Sequence, residues 1–558
     1  MTPAIHTRCF IPNLGVVDPL CVLSNGELMS FKTMLAALGV AVGLAVTPVA
    51  AQESGGTMVM LVQPKPPNLA PYLSTSGPIG QITSKIYEGL ITVGEDYAIE
   101  PSLAKSWEVS DDGLTITFHL QDGVTWHDGE PFTSADVQYS IMDVLREVHP
   151  RGALTLSVVD SVDTPDDMTA VFHLSEPAPY LMVALNGYES PIVARHLFEG
   201  TDPRQNETAN KPVGTGPFKF VEWKKGQYVR LDKNEDYWQE GKPYLDRIVA
   251  RFISDAATRT AAMESEEVHY GAFGAIPNFD VERLAELPYI ETTTKGYGYI
   301  APLMQIQFNT ANKPFDDKRV RQAVSYALDR QFVIDNIWFG FGKPATGPIA
   351  SLFEATDLYS DDVMDYGVED RVERAEALLD EAGYPRGDDG VRFRVTHDIM
   401  PYNEEFVRLG EYVKQALGEV GIEVELRHED VPTWLKRLYT DYDYEFSSNY
   451  LYTLPDPVLG VHRQFHSDQI RPGTVFVNAM NWSSPETDEL MDKARTEIDP
   501  AKRAALYAEF QKKVVEAAPI AFMHEMEFAT VYNASLKNVE SNGPLGVYSN
   551  FADLWLEQ

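Results

Sequence analysis

His462 and His466 stand four residues apart, a spacing that puts two imidazoles on one helix face and suits a divalent metal. Two histidines without a third donor make an incomplete set, so no metal is expected and the pair stays a weak candidate. His524-Glu525 lacks the second histidine of a zinc-protease helix. Gly296-Tyr-Gly298-Tyr-Ile-Ala301 has the glycine spacing of a dinucleotide loop, but no clear strand precedes it and no ribose-binding acid is evident in context. Neither a Walker lysine loop nor a Gly-x-Ser-x-Gly elbow occurs in the sequence. Nothing local signals nucleophilic, metal or cofactor chemistry, so neither enzymatic activity nor a cofactor is expected; a triad built from distant residues would leave no local trace.

The elements that would position a site change character along the chain. Leu114–Leu120 alternates apolar and polar residues after the turn signal Asp111-Asp112-Gly113. Thr169–Leu174 repeats that form after Asp166-Asp167-Met168, which predicts an antiparallel, half-buried sheet. Between them, Val137, Ile141, Val144 and Leu145 fall at helical spacing within Ser134–Val148. After about residue 300, helices alternate with strands. Lys318–Trp338 predicts one long amphipathic helix through Val320, Val324, Leu328, Phe332 and Ile337. Glu369–Ala382 predicts a second, stopped by Gly383 and Pro385, and Phe406–Val420 a third, leading through Gly421 into the strand Ile422–Leu426. Two more helices, about Pro485–Thr496 and Pro500–Glu516, precede strand-like Ala518–Ala529. The pattern is a βαβ lobe inserted between a strand near Tyr299–Phe308 and one near Pro519–Ala529. Two chain crossings make a hinge.

Composition bounds the class. The 558 residues are 44% hydrophobic and 11% aromatic, ample for large cores. Lys+Arg 46 against Asp+Glu 83 gives a net charge of −37, which repels phosphate backbones and anionic lipid and argues against a nucleic-acid partner. From Met29, Lys32, the apolar run Met34–Val46 and Val49-Ala50-Ala51 form the three-part pattern of a secretory signal peptide. Translation is expected to start at Met29, with residues 1–28 a misassigned leader, and cleavage to follow Ala51. Cys9 and Cys21 both lie before that cut, so residues 52–558 have no cysteine for a disulfide, a metal or a lipid anchor. The removed part carries Arg8 and Lys32 against Asp18 and Glu27, which leaves the charge at −37 on a solvated exterior.

Several runs in order along the chain carry a resemblance. They are Ile86-Tyr-Glu-Gly-Leu90; Pro101-Ser-Leu-Ala-Lys-Ser-Trp-Glu-Val-Ser-Asp-Asp-Gly113; Trp126-His-Asp-Gly129 with Phe132-Thr-Ser-Ala-Asp-Val137; Pro212-Val-Gly-Thr-Gly-Pro-Phe218; Asn234–Trp238 with Gly241-Lys-Pro-Tyr-Leu-Asp246; and Pro314-Phe-Asp-Asp-Lys-Arg-Val-Arg-Gln-Ala323. The chain resembles the extracytoplasmic solute-binding proteins of ABC transporters, family 5, the dipeptide, oligopeptide and nickel-binding type. That resemblance implies a mixed α/β, two-lobe, hinged periplasmic binding protein fold of the large three-segment kind. The expected partition is 52–95, 96–210 and 211–300 in lobe I, 301–520 as the inserted lobe II, and 521–558 as the return to lobe I. The implied product is a monomer that is not membrane-inserted, takes a small-molecule or peptide ligand and docks on an inner-membrane permease. A periplasmic hydrolase or chaperone on the same fold is the outside alternative.

Site residues follow from the resemblance position by position. Peptide binders hold the ligand ammonium on an acid three residues before an acid-Pro pair; here Asp456-Pro457 places Thr453 there. A second acid on the strand entering lobe II corresponds to Gln307, beside Gln305. Both expected anionic anchors are thus neutral, which favours a non-peptide solute such as an opine-like conjugate or oligosaccharide as the second hypothesis after a short peptide, with Asp456 or Glu525 as substitute anchors. Trp434, Tyr450 and Tyr452 are the expected aromatic wall, Arg408 the expected carboxylate ligand, and Thr75, Ser76 and Gly77 the first-lobe loop against the ligand. His524 matches a cleft-facing position on the return strand. Gly214-Thr-Gly-Pro and His127-Asp-Gly129 read as turn chemistry.

Overall fold

The alternation in Thr115–Leu120 and Thr169–Leu174 turns Ile116, Phe118, Leu120, Ala170, Phe172 and Leu174 inward, and the two strands pair antiparallel. They form the middle of a four-stranded sheet flanked by Ala104–Val109 and Val159–Asp166, with Phe118 edge-on to Phe172 at 5.1 Å. This is a computed structural model, and it describes residues 54–557; the expected signal segment and cleavage position lie outside them. The helix across this sheet starts at Ser134 behind a reciprocal Thr133–Asp136 capping box, and its helical path continues through a π segment to Val148. Val137, Ile141, Val144 and Leu145 are all fully buried, as their spacing requires.

A seven-stranded sheet runs in the order 290–293, 530–533, 270–271, 57–61, 247–251, 228–233 and 218–224. One large apolar core serves it and the four-stranded sheet together, from Met58 and Met60 to Phe118 and Phe172. The six-stranded sheet has the order 342–344, 520–526, 302–308, 446–452, 393–398 and 422–427. Its strand Phe393–Asp398 lies parallel to Ile422–Arg427, and the helix Glu404–Glu419 joins the two as the expected βαβ unit. A second core packs helices on this sheet.

Pro302–Phe308 and Ile520–Met526 are buried at every position, so neither alternates in hydrophobicity. They pair antiparallel, and the strands just outside them, Ile290–Thr293 and Thr530–Asn533, pair antiparallel in the seven-stranded sheet. The chain thus leaves one sheet for the other after Thr293 and returns after Met526. That return falls several residues beyond the expected boundary at 520.

The single helix expected over Lys318–Trp338 is two, Lys318–Ala327 and Arg330–Asn336. Leu328 is extended, and the Asp329 carboxylate accepts the Phe332 amide at 2.9 Å, starting a new helix where the periodicity carried on. Phe332 then faces outward, 45% exposed and stacked on Tyr412. The helix Arg371–Glu381 ends as expected, with Gly383 at φ +89°. Among the described residues no helix is long and apolar enough to cross a membrane.

Candidate ligand-binding site

The strand Phe446–Tyr452 lies antiparallel to Pro302–Phe308 and sets Gln305 opposite Asn449 and Gln307 opposite Ser447. Three side-chain amides therefore share one stretch of sheet, each at most 3% exposed. The Asn449 amide donates to Gln307 Oε1 at 3.3 Å and to the Tyr439 hydroxyl at 2.8 Å. Trp434 Nε1 donates to Ser447 Oγ at 3.1 Å, which locks the indole beside them. Both Gln305 amide atoms, Gln307 Nε2 and Asn449 Oδ1 have no partner among the described residues. Each such buried orphan costs about 1–3 kcal/mol, so the sheet holds a row of unused donors and acceptors at a cost that a bound solute would relieve.

Aromatic rings follow on the same strand, where Tyr450 and Tyr452 alternate with Ser447 and Asn449 and so stand on its other face. Tyr450 stacks on Phe406 at 6.0 Å and lies 6.1 Å from Tyr452 and 6.2 Å from Tyr402. From the other core, Tyr188 lies tilted against Tyr548 at 4.4 Å and meets Tyr299 edge-on at 6.1 Å. Tyr452 packs against that core, and burial, then the neighbouring Tyr450, Tyr548 and Tyr188 hydroxyls, push its phenol well above its ordinary range. Thr75-Ser76-Gly77 leads into the helix Gly77–Thr83 beside them, where a Cβ on Gly77 would stand 3.0 Å from the Tyr548 hydroxyl and one on Gly80 2.9 Å from the Tyr188 ring. The Tyr188 and Tyr548 hydroxyls and both Gln81 amide atoms are buried and have no partner that meets hydrogen-bond geometry among the described residues. Arg151 binds Glu189 through two nitrogens, at 2.7 Å from Nε, in the same neighbourhood. The arrangement offers planar stacking and uncharged hydrogen bonding on two walls and contains no nucleophile paired with a base.

A profile of the bacterial extracellular solute-binding proteins, family 5 Middle, matches residues 98–471. The chain belongs to this family. Its similarity extends beyond the profile: the oligopeptide-binding protein AppA of Bacillus subtilis is 28% identical over 495 residues, covering 85% of this chain and 86% of AppA. The Helicobacter pylori periplasmic binding protein DppA, solved with the peptide STSA, superposes with TM-score 0.76 at 26% identity over 91% of this chain and 99% of its own. AgaA from A. tumefaciens R10, solved with agropinic acid, superposes with TM-score 0.72 at 28% identity over 90% of this chain and 99% of its own. The mixed α/β fold with several sheets is that of the family-5 binding proteins, and the family is one of solute binders, not enzymes.

Against that family pattern, the structure gathers some expected residues and disperses others. Gln305, Gln307 and Trp434 share one face of the six-stranded sheet, Tyr450 and Tyr452 stand on the other face of the same strands, and Ser76 and Gly77 lie beside Tyr548. Arg408 does not join them: the helix Glu404–Glu419 buries Phe406, Leu409, Gly410 and Val413, which turns Arg408 outward beside Phe332 and Tyr412. Thr453 is fully buried and donates its hydroxyl to the Ala301 carbonyl at 3.0 Å, so it ties a strand end to the chain crossing instead of meeting a solute. Asp456 is not a free anchor either, because Arg503 holds both its oxygens at 2.7 and 2.9 Å. Glu525 accepts from the Ser351 amide at 2.7 Å and hydroxyl at 3.1 Å, with Lys343 at 3.5 Å. His524 lies in the core, edge-on to Trp338 at 4.5 Å, and burial pushes its ring down to about 3, keeping it neutral.

Each member of the histidine pair has a partner of its own. The helix His462–Phe465 ends before His466, which is extended and pairs with Asp468 at 2.8 Å, while His462 meets the Tyr507 hydroxyl at 3.0 Å. Among the described residues no group of three or more His, Cys, Asp or Glu side chains is placed to hold a metal. Gly296 packs on Gly546, where a Cβ would stand 2.8 Å from the Gly546 Cα, so the dinucleotide-like glycine is a backbone contact. His127 Nε2 bonds the Gly216 carbonyl at 2.9 Å and Nδ1 accepts the Gly214 amide at 3.3 Å, joining the two turn motifs. Tyr188, Tyr548, Gln81, Tyr439 and Asn449 escaped the sequence reading. Only Asn449 had a local signal, as the residue preceding Tyr450 on a strand already singled out.

Proposed function

We propose that the chain is the periplasmic solute-binding component of an ABC importer, enclosing a short peptide or peptide-like solute between two lobes and delivering it to an inner-membrane permease. The observation that carries this reading is the row of buried side-chain amides on the six-stranded sheet with no partner among the described residues, on a sheet joined to the seven-stranded one by two chain crossings. The open form exposes each wall to water separately. Closure gains solute contacts on both, and only such a difference in affinity shifts the population toward the closed form that a permease would recognise. Extended peptides suit unsatisfied amides, since backbone N–H and C=O groups need partners when buried. Export after cleavage at Ala51 and action as a monomer complete the proposal.

A second reading is favoured by one observation: Gln307 is neutral where an acid would anchor a ligand ammonium, Thr453 is turned onto the Ala301 carbonyl, and the substitute carboxylates are engaged. An opine-like conjugate fits that set, and AgaA is a relative solved with agropinic acid. Native mass spectrometry of the purified protein, then denaturation and identification of the released compound, distinguishes the two. A released peptide supports the first; a released non-peptide conjugate replaces it with the second; steady consumption of the compound by the protein contradicts both.

A further inference from the structure

Hairpins that turn through two residues favour Asp-Gly, because both residues take left-handed backbone angles and glycine has no Cβ to resist them. The hairpin from Ile91–Val93 to Ile99–Pro101 turns through Asp96-Tyr97 instead, at φ +53° and +61°, and the Ala98 amide returns to the Glu95 carbonyl at 3.1 Å. A tyrosine in the left-handed region is strained, and such strain persists only where surrounding contacts hold it. Here those contacts come from both parts of the molecule. Tyr97 packs on the core shared by the seven- and four-stranded sheets and also on the core of the six-stranded sheet. Its ring lies 5.0 Å from that of Phe353, tilted by 60°. Its hydroxyl reaches the first chain crossing, where a Cβ on Gly298 would stand 2.7 Å away.

Tyr97 and Phe353 are fastened to different sheets. The hairpin is held on the first core, where Ile91 is buried and its amide donates to the Leu185 carbonyl at 3.3 Å. Phe353, only 1% exposed, lies in the turn Ser351–Thr356. The Ser351 amide and hydroxyl donate to Glu525 at 2.7 and 3.1 Å, which ties that turn to the return strand of the six-stranded sheet. We infer that Tyr97 is a closure latch: its contact with Phe353 forms when the two sheets approach and is lost when they part, so it biases the molecule toward the closed form from outside the solute site. The inference rests on the two-lobe closure proposed above and adds the residue that sets its balance. Glycine at 97 would ease the turn but would offer no ring to Phe353, which accounts for the residue type found there.

The test is the distance between spin labels on Asp111→Cys, in an exposed turn of the four-stranded sheet, and Ala501→Cys, at the exposed start of the helix Pro500–Ala517. Cys9→Ser and Cys21→Ser remove the native thiols. Samples are the protein as purified and the same protein stripped of bound compounds by dialysis in urea and refolding. A protein with the native Tyr97 should show a short distance as purified and a longer one when stripped. Tyr97→Gly should lower the ratio of short to long about two- to tenfold, the worth of one aromatic pair. Tyr97→Phe keeps the ring and should leave the ratio unchanged, whereas Gly298→Ala, which crowds the tyrosine from the crossing, should act like Tyr97→Gly. Two distances that Tyr97→Gly leaves unchanged, or shifts toward the short one, overturn the latch and leave the closure reading standing. A Tyr97→Phe protein as open as Tyr97→Gly overturns it too, since the ring would not be what holds the sheets together. A Tyr97→Gly protein that fails to fold makes Tyr97 a core residue and also overturns it. One distance in every sample removes closure itself, and the latch with it.

Discussion

Asp456 offers the sharpest contrast between a ligand anchor and a structural role. Its two oxygens meet Arg503 at 2.7 and 2.9 Å, with side-chain exposures of 6% and 8% for Asp456 and Arg503. Oδ1 also accepts the Val458 amide at 3.0 Å, capping the next helical turn. Asp456→Asn keeps the size and one acceptor but leaves a buried guanidinium without its counter-charge. Breaking such a pair from one side costs about 3–5 kcal/mol, far above the 0–1 kcal/mol of an exposed pair. Urea unfolding followed by tryptophan fluorescence should show a lower midpoint with an unchanged slope. The double variant Asp456→Leu, Arg503→Met, in which neither charge is left alone, should recover much of the loss. An unchanged midpoint together with abolished solute binding would refute the reasoning, because it would mean that Asp456 faces the solute after all.

Further perturbations follow from the same geometry. Gly80→Ala puts a methyl group against the Tyr188 ring and should weaken solute binding by calorimetry while costing about 1–3 kcal/mol of stability from overpacking; unchanged affinity would move Tyr188 out of the site. Glu176→Gln removes the partly exposed pair with Arg495 that joins the loop after Thr169–Leu174 to the helix Pro485–Thr496. It should lower affinity by up to about fivefold, equivalent to the ~1 kcal/mol of such a pair, and expand the solute-free form in scattering. Burial pushes His127 down to about 4 and His149, His397 and His524 to about 3, so all four are neutral in the fold but take protons in the unfolded chain below about 6.5. Stability from these sites is complete above pH 6.5 and is lost as pH falls toward 3–4, so urea midpoints should drop steadily from pH 7 to pH 5. His127→Gln, which can still use the two turn carbonyl and amide groups, should flatten part of that slope.

The parts of the fold written in local periodicity were legible. Thr115–Leu120 and Thr169–Leu174 each have one dry and one wet face, and the helix Glu404–Glu419 runs from a polar start to Gly421. Strands with two dry faces were not, which is why Pro302–Phe308 and Ile520–Met526 gave composition without register, and the second crossing was placed too early. Asp329 was invisible as a helix start because Val320, Val324, Leu328 and Phe332 continue the 3.6-residue pattern across it. Within the site, the neutral residues at 305 and 307 were readable as single positions. Their meaning as a row depended on cross-strand pairing with Asn449 and Ser447, more than a hundred residues away. Arg408 failed for a rotational reason, since one step on a helix turns a side chain by about 100°.

The central claim is that a solute is held between two lobes and released unchanged. Small-angle scattering of the solute-stripped protein, repeated after adding back the compound recovered from it and followed by mass analysis of that compound, tests this directly. The account predicts a smaller radius of gyration in the loaded form and full recovery of the intact compound. An unchanged radius with the compound bound, or a compound converted during the measurement, would contradict it.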